Sequence, residues 1–167
     1  MKIGMGYDSH RFARGRRLVL GGVEIPYELG LLGHSDADAL THAVIDALLG
    51  AAGLGDIGRV FPDTEARWKD ADSILMLASV VVMVREAGYE VSNIDCVVVT
   101  ERPRIAPHVE DMRRAFGRAG IPPEAVGIKG KSNERMGFTG RGEGVAAMAV
   151  CLLVPIAAAP NGNPKGG

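Results

Sequence analysis

Apolar and polar positions alternate over residues 2–10: Ile3, Met5 and Tyr7 fall on one side, and Gly4, Gly6, Asp8 and His10 on the other. A period of two predicts a strand, with glycines where another backbone comes close. Residues 18–20 and 23–25 flank Gly21-Gly22, the pattern of a hairpin. After His34-Ser35-Asp36 the period changes. Leu40, Val44, Ala47 and Leu48 form the apolar stripe of a helix predicted over residues 37–52. Ser35 or Asp36 is its expected cap, Asp38 adds negative charge to its first turn, and Gly53 ends it.

A second helix is predicted from Asp72-Ser73 to residue 87, because Ile74, Leu77, Ala78 and Val81 keep helical spacing against the strand propensity of Val80-Val81-Val82. Gly88 stops it. Residues 91–100 read as a strand, 107–119 as a helix with Pro107 near its start, 126–131 as a short strand, and 144–154 as a last strand despite its alanines. The connection over residues 54–69 is long, and Phe61, Pro62 and Trp68 within it predict a specific folded conformation. Residues 157–167, made of Ala, Pro, Asn, Lys and Gly, are expected to be an unstructured tail.

Strands mixed with three helices, without an internal repeat, predict an α/β fold of the α+β sandwich kind: a mixed β-sheet with helices packed on one face, in a single domain of residues 1–156. Such a sheet has a bare face, and oligomerisation is one economical way to cover it.

Composition narrows the functional classes. Of 167 residues, 47% are apolar and 23% charged, and the net charge of -1 gives no basic footprint for nucleic acid. No run approaches eighteen uninterrupted apolar residues, so no membrane-spanning helix and no membrane partner are expected. Cys96 and Cys151 sit among apolar residues without CxxC spacing, and no basic-then-apolar leader precedes the first strand. Buried thiols and a cytoplasmic location are the expectation.

The sharpest chemistry lies in Asp8-Ser9-His10. Residues i and i+2 of a strand share a face, so both side chains can reach one cation, and His42 offers a third ligand from the first helix. One carboxylate and two imidazoles with a position left open is the ligand count of a catalytic zinc site. Asp46, one turn beyond His42, is a candidate acceptor for holding an imidazole. Spacing alone does not bring strand and helix together, so a chance DxH pair and an ordinary half-buried histidine stay open.

Other polar clusters allow two readings each. Asp36 reads most simply as a cap, while His34, beside a helix N-terminus, is placed to meet a phosphate. Asp56-Ile57-Gly58 and Phe61-Pro62-Asp63-Thr64-Glu65 have the chemistry of turns. Thr100-Glu101-Arg102-Pro103-Arg104-Ile105-Ala106 leaves a strand for a helix, which suits either a ligand or a plain helix start. Lys129-Gly130-Lys131-Ser132-Asn133-Glu134 and Gly137-Phe138-Thr139-Gly140-Arg141-Gly142-Glu143-Gly144 set glycine-rich backbone beside cations and hydroxyls, donors that can surround phosphate oxygens. Neither is a nucleotide P-loop, and Gly4-Met5-Gly6 lacks the third glycine of the dinucleotide fingerprint.

Together these motifs closely resemble the 2-C-methyl-D-erythritol 2,4-cyclodiphosphate synthase family. The matching segments are Gly6-Tyr7-Asp8-Ser9-His10-Arg11-Phe12, Gly33-His34-Ser35-Asp36-Ala37-Asp38, Asp46-Ala47-Leu48-Leu49-Gly50-Ala51, Leu54-Gly55-Asp56-Ile57-Gly58, Phe61-Pro62-Asp63-Thr64, Lys69-Asp70-Ala71-Asp72-Ser73 and the Gly137 to Gly144 segment. They run in family order.

The resemblance implies a homotrimer around the sheet faces, with active sites between subunits. It implies zinc on Asp8, His10 and His42, and a second divalent cation, magnesium or manganese, held with the help of Glu134. It implies cyclisation of 4-diphosphocytidyl-2-C-methyl-D-erythritol 2-phosphate with release of CMP, in the non-mevalonate isoprenoid pathway. His34 and Ser132 would stabilise the transition state. Ser35, Asp56, Ile57, Gly58, Phe61, Pro62, Asp63, Thr64 and Glu65 would line the sugar-phosphate pocket, beside Asp8, His10 and His34. Thr100, Glu101, Arg102, Pro103, Arg104, Ile105, Ala106, Lys131, Ser132, Asn133 and Glu134 would bind cytidine and its diphosphate, with Phe138 and Arg141 added. The chain departs from the family's usual residues at Lys131, Ser132 and Arg104, and none of these is a zinc ligand. Two rivals from other classes are a non-catalytic trimeric module for a nucleotide or isoprenoid diphosphate, and a zinc hydrolase; the latter finds no HExxH-type helix.

Overall fold

A computed structural model describes residues 1–68 and 71–157. Among the described residues, seven strands and five α-helices follow one another: β1 (Lys2–Ala13), β2 (Leu18–Leu20), β3 (Val23–Ile25), β4 (Gly30–Leu31), α1 (Ala39–Ala52), α2 (Ile57–Val60), α3 (Ser73–Glu86), β5 (Tyr89–Val99), α4 (Val109–Arg118), β6 (Val126–Lys131), α5 (Gly137–Gly140) and β7 (Gly144–Pro155). The main sheet has the order β4-β1-β7-β5-β6. Only β5 and β6 pair in parallel, so the sheet is mixed, as expected.

The glycines of β1 decide how the first helix lies on the sheet. A Cβ on Gly4 would come within 1.9 Å of the Ala47 carbonyl oxygen. Ala43, Ala47 and Ala51 recur every fourth residue on α1, so small side chains face a strand without side chains and the two backbones nearly touch. The alanines of β7 serve the same packing, since Ala147 and Ala149 are buried beside Asp8 and Gly6 in the antiparallel register. This contact is why an alanine-rich segment becomes a central strand. α1 is buried nearly all round rather than along one stripe, with Leu40, Val44, Ile45, Leu48 and Leu49 all inaccessible. Each such side chain contributes roughly 1.5–3 kcal/mol through burial.

The helix start is two residues later than the periodicity predicts. Its cap is Asp38, not Ser35 or Asp36, and the Asp38 carboxylate accepts from Thr41 N. Asp38 is fully buried and also receives Gly21 N, Gly22 N and the hydroxyls of Thr41 and Ser73. It thus ties the hairpin turn, where both glycines have positive φ, to the starts of α1 and α3. Asp36 is no N-cap: α3 is capped by Asp72, which accepts from Ile74 N, and Asp36 adds a bond from Ser73 N at 2.9 Å.

The connection between α1 and α3 folds as anticipated, around α2, a 3-10 turn (Ala66–Trp68), and an edge-to-face contact of Phe61 with Trp68. Three short elements escape the hydrophobic pattern: β4, α2 and α5. A 3-10 turn (Ala106–His108) precedes α4, so the predicted third helix divides in two. Cys96 and Cys151 are buried free thiols, and burial pushes Cys96 up to about 12. Lys69 and Asp70 of one matching segment, and the expected tail from residue 158 onward, lie outside the described residues.

Over β1 and β7 the opposite face of the sheet is apolar and bare. Ile3 (74% exposed) and Met5 (71%) on β1 stand beside Leu152 and Val150 of β7, with Tyr7 beside Met148. The alternation predicted for β1 is present, but its large apolar side chains point away from the helices, because the glycine side must receive α1. Among the described residues, no helix is long and apolar enough to cross a membrane.

Candidate metal centre

Strand β1 and helix α1 bring three ligand atoms together. Asp8 Oδ2 lies 2.9 Å from His10 Nε2 and 3.0 Å from His42 Nδ1, and the two ring nitrogens are 3.4 Å apart. In a tetrahedral zinc site with bonds near 2.0 Å, ligand atoms stand about 3.3 Å apart. This is a group of side chains that could hold a metal ion.

The outer bonds of the two rings fit that role. His10 Nδ1 meets the Leu32 carbonyl oxygen at 2.9 Å. A carbonyl only accepts, so Nδ1 carries the proton and Nε2 turns its lone pair inward. His42 Nε2 meets Ser35 Oγ at 3.1 Å, a hydroxyl able to accept its proton and leave Nδ1 for a cation. Fixing ring and tautomer by a second hydrogen bond is the usual device of histidine metal ligands. Asp46 does not take this part: it accepts from Ile57 N at 2.8 Å and so fixes the start of α2. Ser35 holds the imidazole instead.

Electrostatics also favour a cation. Burial pushes Asp8 upward, but hydrogen bonds and charge from His10 and His42 outweigh it and hold its carboxyl below the usual range. Burial pulls His42 down, yet the Asp8 hydrogen bond and the charges of Asp38, Asp8 and Asp36 raise it above its ordinary 6.5. The buried acids around His42 attract positive charge, whether a proton or a metal supplies it.

A cavity of about 320 Å³ opens beside these ligands. Asp8, His10, His34, Ser35, His42, Ile57, Gly58, Phe61 and Asp63 line it. Asp56, Pro62, Thr64 and Glu65 are not among its lining residues. Asp56 caps α2 by accepting from Arg59 N. Tyr7, Asp46, Trp68 and Met76 join the wall. Trp68 had a signal in the sequence, as the chain's one tryptophan, set in a loop that must fold; Met76 had none, being one more apolar residue of a helix.

A second, larger cavity of about 830 Å³ lies where β5 and β6 end. Thr100, Glu101, Arg102, Pro103, Arg104, Ile105, Ala106, Lys131, Ser132 and Arg141 line it, together with Arg135, which motif reading missed. Asn133, Glu134 and Phe138 are not lining residues. Glu101 organises the loop below them, accepting Asn133 N at 3.0 Å and Arg135 N at 3.1 Å. Those bonds hold Glu134 (φ 50) and Arg135 (φ 62) in the left-handed region, which costs on the order of 1–3 kcal/mol each for side-chain-bearing residues. Five cationic side chains line this cavity, and with Ser132 and backbone beside them they suit a diphosphate. The two cavities share no lining residue. Glu134 lines neither of them, and its carboxylate receives the Ser132 hydroxyl at 2.6 Å.

Comparison with known proteins gives one consistent result. The profile of the YgbB family matches residues 1–154. A 2-C-methyl-D-erythritol 2,4-cyclodiphosphate synthase of Salinibacter ruber is 56% identical over 154 residues, covering 92% of this chain and 98% of its own. Among solved structures, the bifunctional IspDF of Campylobacter jejuni is 38% identical with a TM-score of 0.89 over 93% of this chain, which spans 42% of that longer one. A 2C-methyl-D-erythritol-2,4-cyclodiphosphate synthase solved in its CDP-bound form is 39% identical with a TM-score of 0.83, covering 92% of this chain and all of its own.

Proposed function

The chain belongs to the YgbB family, and on that premise we propose that it converts 4-diphosphocytidyl-2-C-methyl-D-erythritol 2-phosphate to 2-C-methyl-D-erythritol 2,4-cyclodiphosphate, releasing CMP. It is then a cyclising phosphorus–oxygen lyase of the non-mevalonate isoprenoid pathway, acting in the cytoplasm through one domain, residues 1–156. The observation that carries this reading is the meeting of Asp8 Oδ2, His10 Nε2 and His42 Nδ1 within 3.4 Å at the mouth of the cavity that holds His34.

In the reaction an oxygen of the 2-phosphate attacks the β-phosphorus, and the bond from that phosphorus to the oxygen shared with the α-phosphate breaks, so CMP leaves with that oxygen. No protein nucleophile is required. Two anionic groups must be brought together, and phosphoryl transfer depends chiefly on position and on charge stabilisation. Divalent cations, zinc at the Asp/His/His site and magnesium or manganese at the diphosphate, supply Lewis acidity and neutralise charge when bound. Asp8, His10 and His42 would hold the zinc, with Leu32 and Ser35 keeping the two rings in their ligating orientation. His34, exposed on the cavity wall, donates to phosphate oxygens. Ser132 presents a hydroxyl to the diphosphate, and Glu134 offers a carboxylate to the second cation. The strand-exit segment from Thr100 to Ala106 holds cytidine, largely through its backbone, with Lys131 and Arg141 adding charge.

We take the active form to be a homotrimer. Two features support it: the bare apolar face on β1 and β7 needs a partner, and the disjoint cavities need a neighbouring copy to set Ser132 and Glu134 against the zinc ligands. The assignment is tested by incubating the protein with the cytidyl substrate and magnesium. CMP and the cyclic diphosphate should appear in equal amounts. CMP with a linear product would make the chain a hydrolase, and tight binding without turnover a recognition module. His42→Ala should lose both zinc and turnover; undiminished turnover would remove His42 from the ligand set.

A further inference from the structure

The segment of residues 31–35 touches both histidine rings on the sides turned away from the metal site. Leu32 accepts from His10 Nδ1, and Ser35 Oγ meets His42 Nε2. Between them Gly33 lies against the His10 ring, where a Cβ would come within 3.0 Å of Cε1. Little regular structure holds this segment. β4 has only two residues, and no helix begins until Ala39. Its backbone is anchored from outside by Leu32 N to Arg11 O and, more weakly, by Leu31 N to Arg17 O and by Asp36 N to Ala71 O just beyond it.

A further anchor is a side chain. Arg16 donates from Nε to Leu31 O at 3.4 Å, and from Nη2 to Gly33 O at 3.4 Å and Ser35 O at 3.1 Å. One planar guanidinium thus spans three alternate carbonyls, a geometry that the single ammonium of lysine does not reproduce. The Arg16 backbone is itself wedged against β4, because a Cβ on Gly30 would lie 2.3 Å from the Arg16 carbonyl. Conformation therefore passes from Arg16 to the carbonyls, and from the segment to both rings.

We propose that Arg16 is a positioning residue for the metal site, aligning His10 and His42 through residues 31–35. The proposal rests on the reading of Asp8, His10 and His42 as a divalent-metal site. It places a determinant of metal affinity outside the ligands and outside their direct hydrogen-bond partners.

Zinc affinity of the full chain, measured by competition with a chromophoric chelator, tests it together with the ligand-field spectrum of bound cobalt(II). Arg16→Met should weaken zinc about 10- to 100-fold, the range for loss of outer-sphere support, and alter the cobalt bands while circular dichroism reports a folded chain. Arg16→Lys should recover only part of the loss. A lower Tm of the metal-free Arg16→Met protein with zinc affinity and cobalt bands unchanged overturns the proposal, since Arg16 would then serve stability alone. Should Arg16→Met not fold, Arg16→Lys carries the same reading: weakened zinc supports the clamp, and undiminished affinity overturns it. A wild-type chain that binds no zinc overturns the metal reading and this inference with it. Wild-type binding that His42→Ala abolishes, beside unaffected Arg16 variants, overturns this inference alone.

Discussion

A Cβ on Gly6 would lie 2.0 Å from the carbonyl oxygen of Ala43. Gly6 is two residues before Asp8, and Ala43 directly follows His42, so this backbone contact sets the gap across which carboxylate and imidazole meet. The 3.0 Å between Asp8 Oδ2 and His42 Nδ1 follows from it.

Gly6→Ala is accordingly expected to cost at least about 2 kcal/mol of stability, because the methyl meets backbone that cannot rotate aside. Urea unfolding of the metal-free protein measures it. A loss below about 0.5 kcal/mol, the range of neutral surface changes, would contradict the close approach.

Asp38→Asn tests the buried junction of hairpin and helices. Five donors point at the carboxylate, and an amide replaces one acceptor oxygen with a group that itself donates. A cost of about 2–4 kcal/mol is expected from unsatisfied, charge-assisted hydrogen bonds. Thermal and urea melts read this directly, and wild-type stability in the variant would rule the junction out as a determinant of the fold.

Zinc affinity should rise with pH through the raised pKa of His42, by up to about tenfold per unit, because Nδ1 must lose its proton to bind metal. In the metal-free chain the signs are opposite for the two partners. The contribution of His42 is complete below its ordinary 6.5 and is lost as pH rises through the folded value; that of Asp8 is present above its ordinary 3.8 and is lost as pH falls toward its lowered one. Chelator competition between about pH 6 and 8 checks the first statement. A flat profile there would show that no proton leaves His42 on binding.

Met5→Asp addresses the bare sheet face. If copies of the chain cover it in a trimer, a carboxylate there must be desolvated without a partner, and sedimentation should show a trimer for the wild type and monomers for the variant. The same assembly for both proteins would mean that β1 lies outside the interface.

The sequence by itself determined what depends on neighbours along the chain. Alternation over β1, the Gly21-Gly22 turn, the helical spacing in α1 and α3, and the ligand types at Asp8, His10 and His42 all express local periods or local chemistry. A strand shows which residues share a side, and Gly4 and Gly6 even announce that a backbone comes close. Tertiary structure decided what depends on distance across the fold. It chose Asp38 over Ser35 and Asp36 as the cap of α1, where the same carboxylate also receives the backbone of the hairpin turn. It gave Asp46 to Ile57 rather than to an imidazole, turned Ile57 and Asp63 toward the cavity while Asp56 capped a helix, and set the Glu134 carboxylate against the Ser132 hydroxyl. Those outcomes rest on hydrogen bonds and contacts between segments far apart in sequence, which periodicity along one segment does not encode.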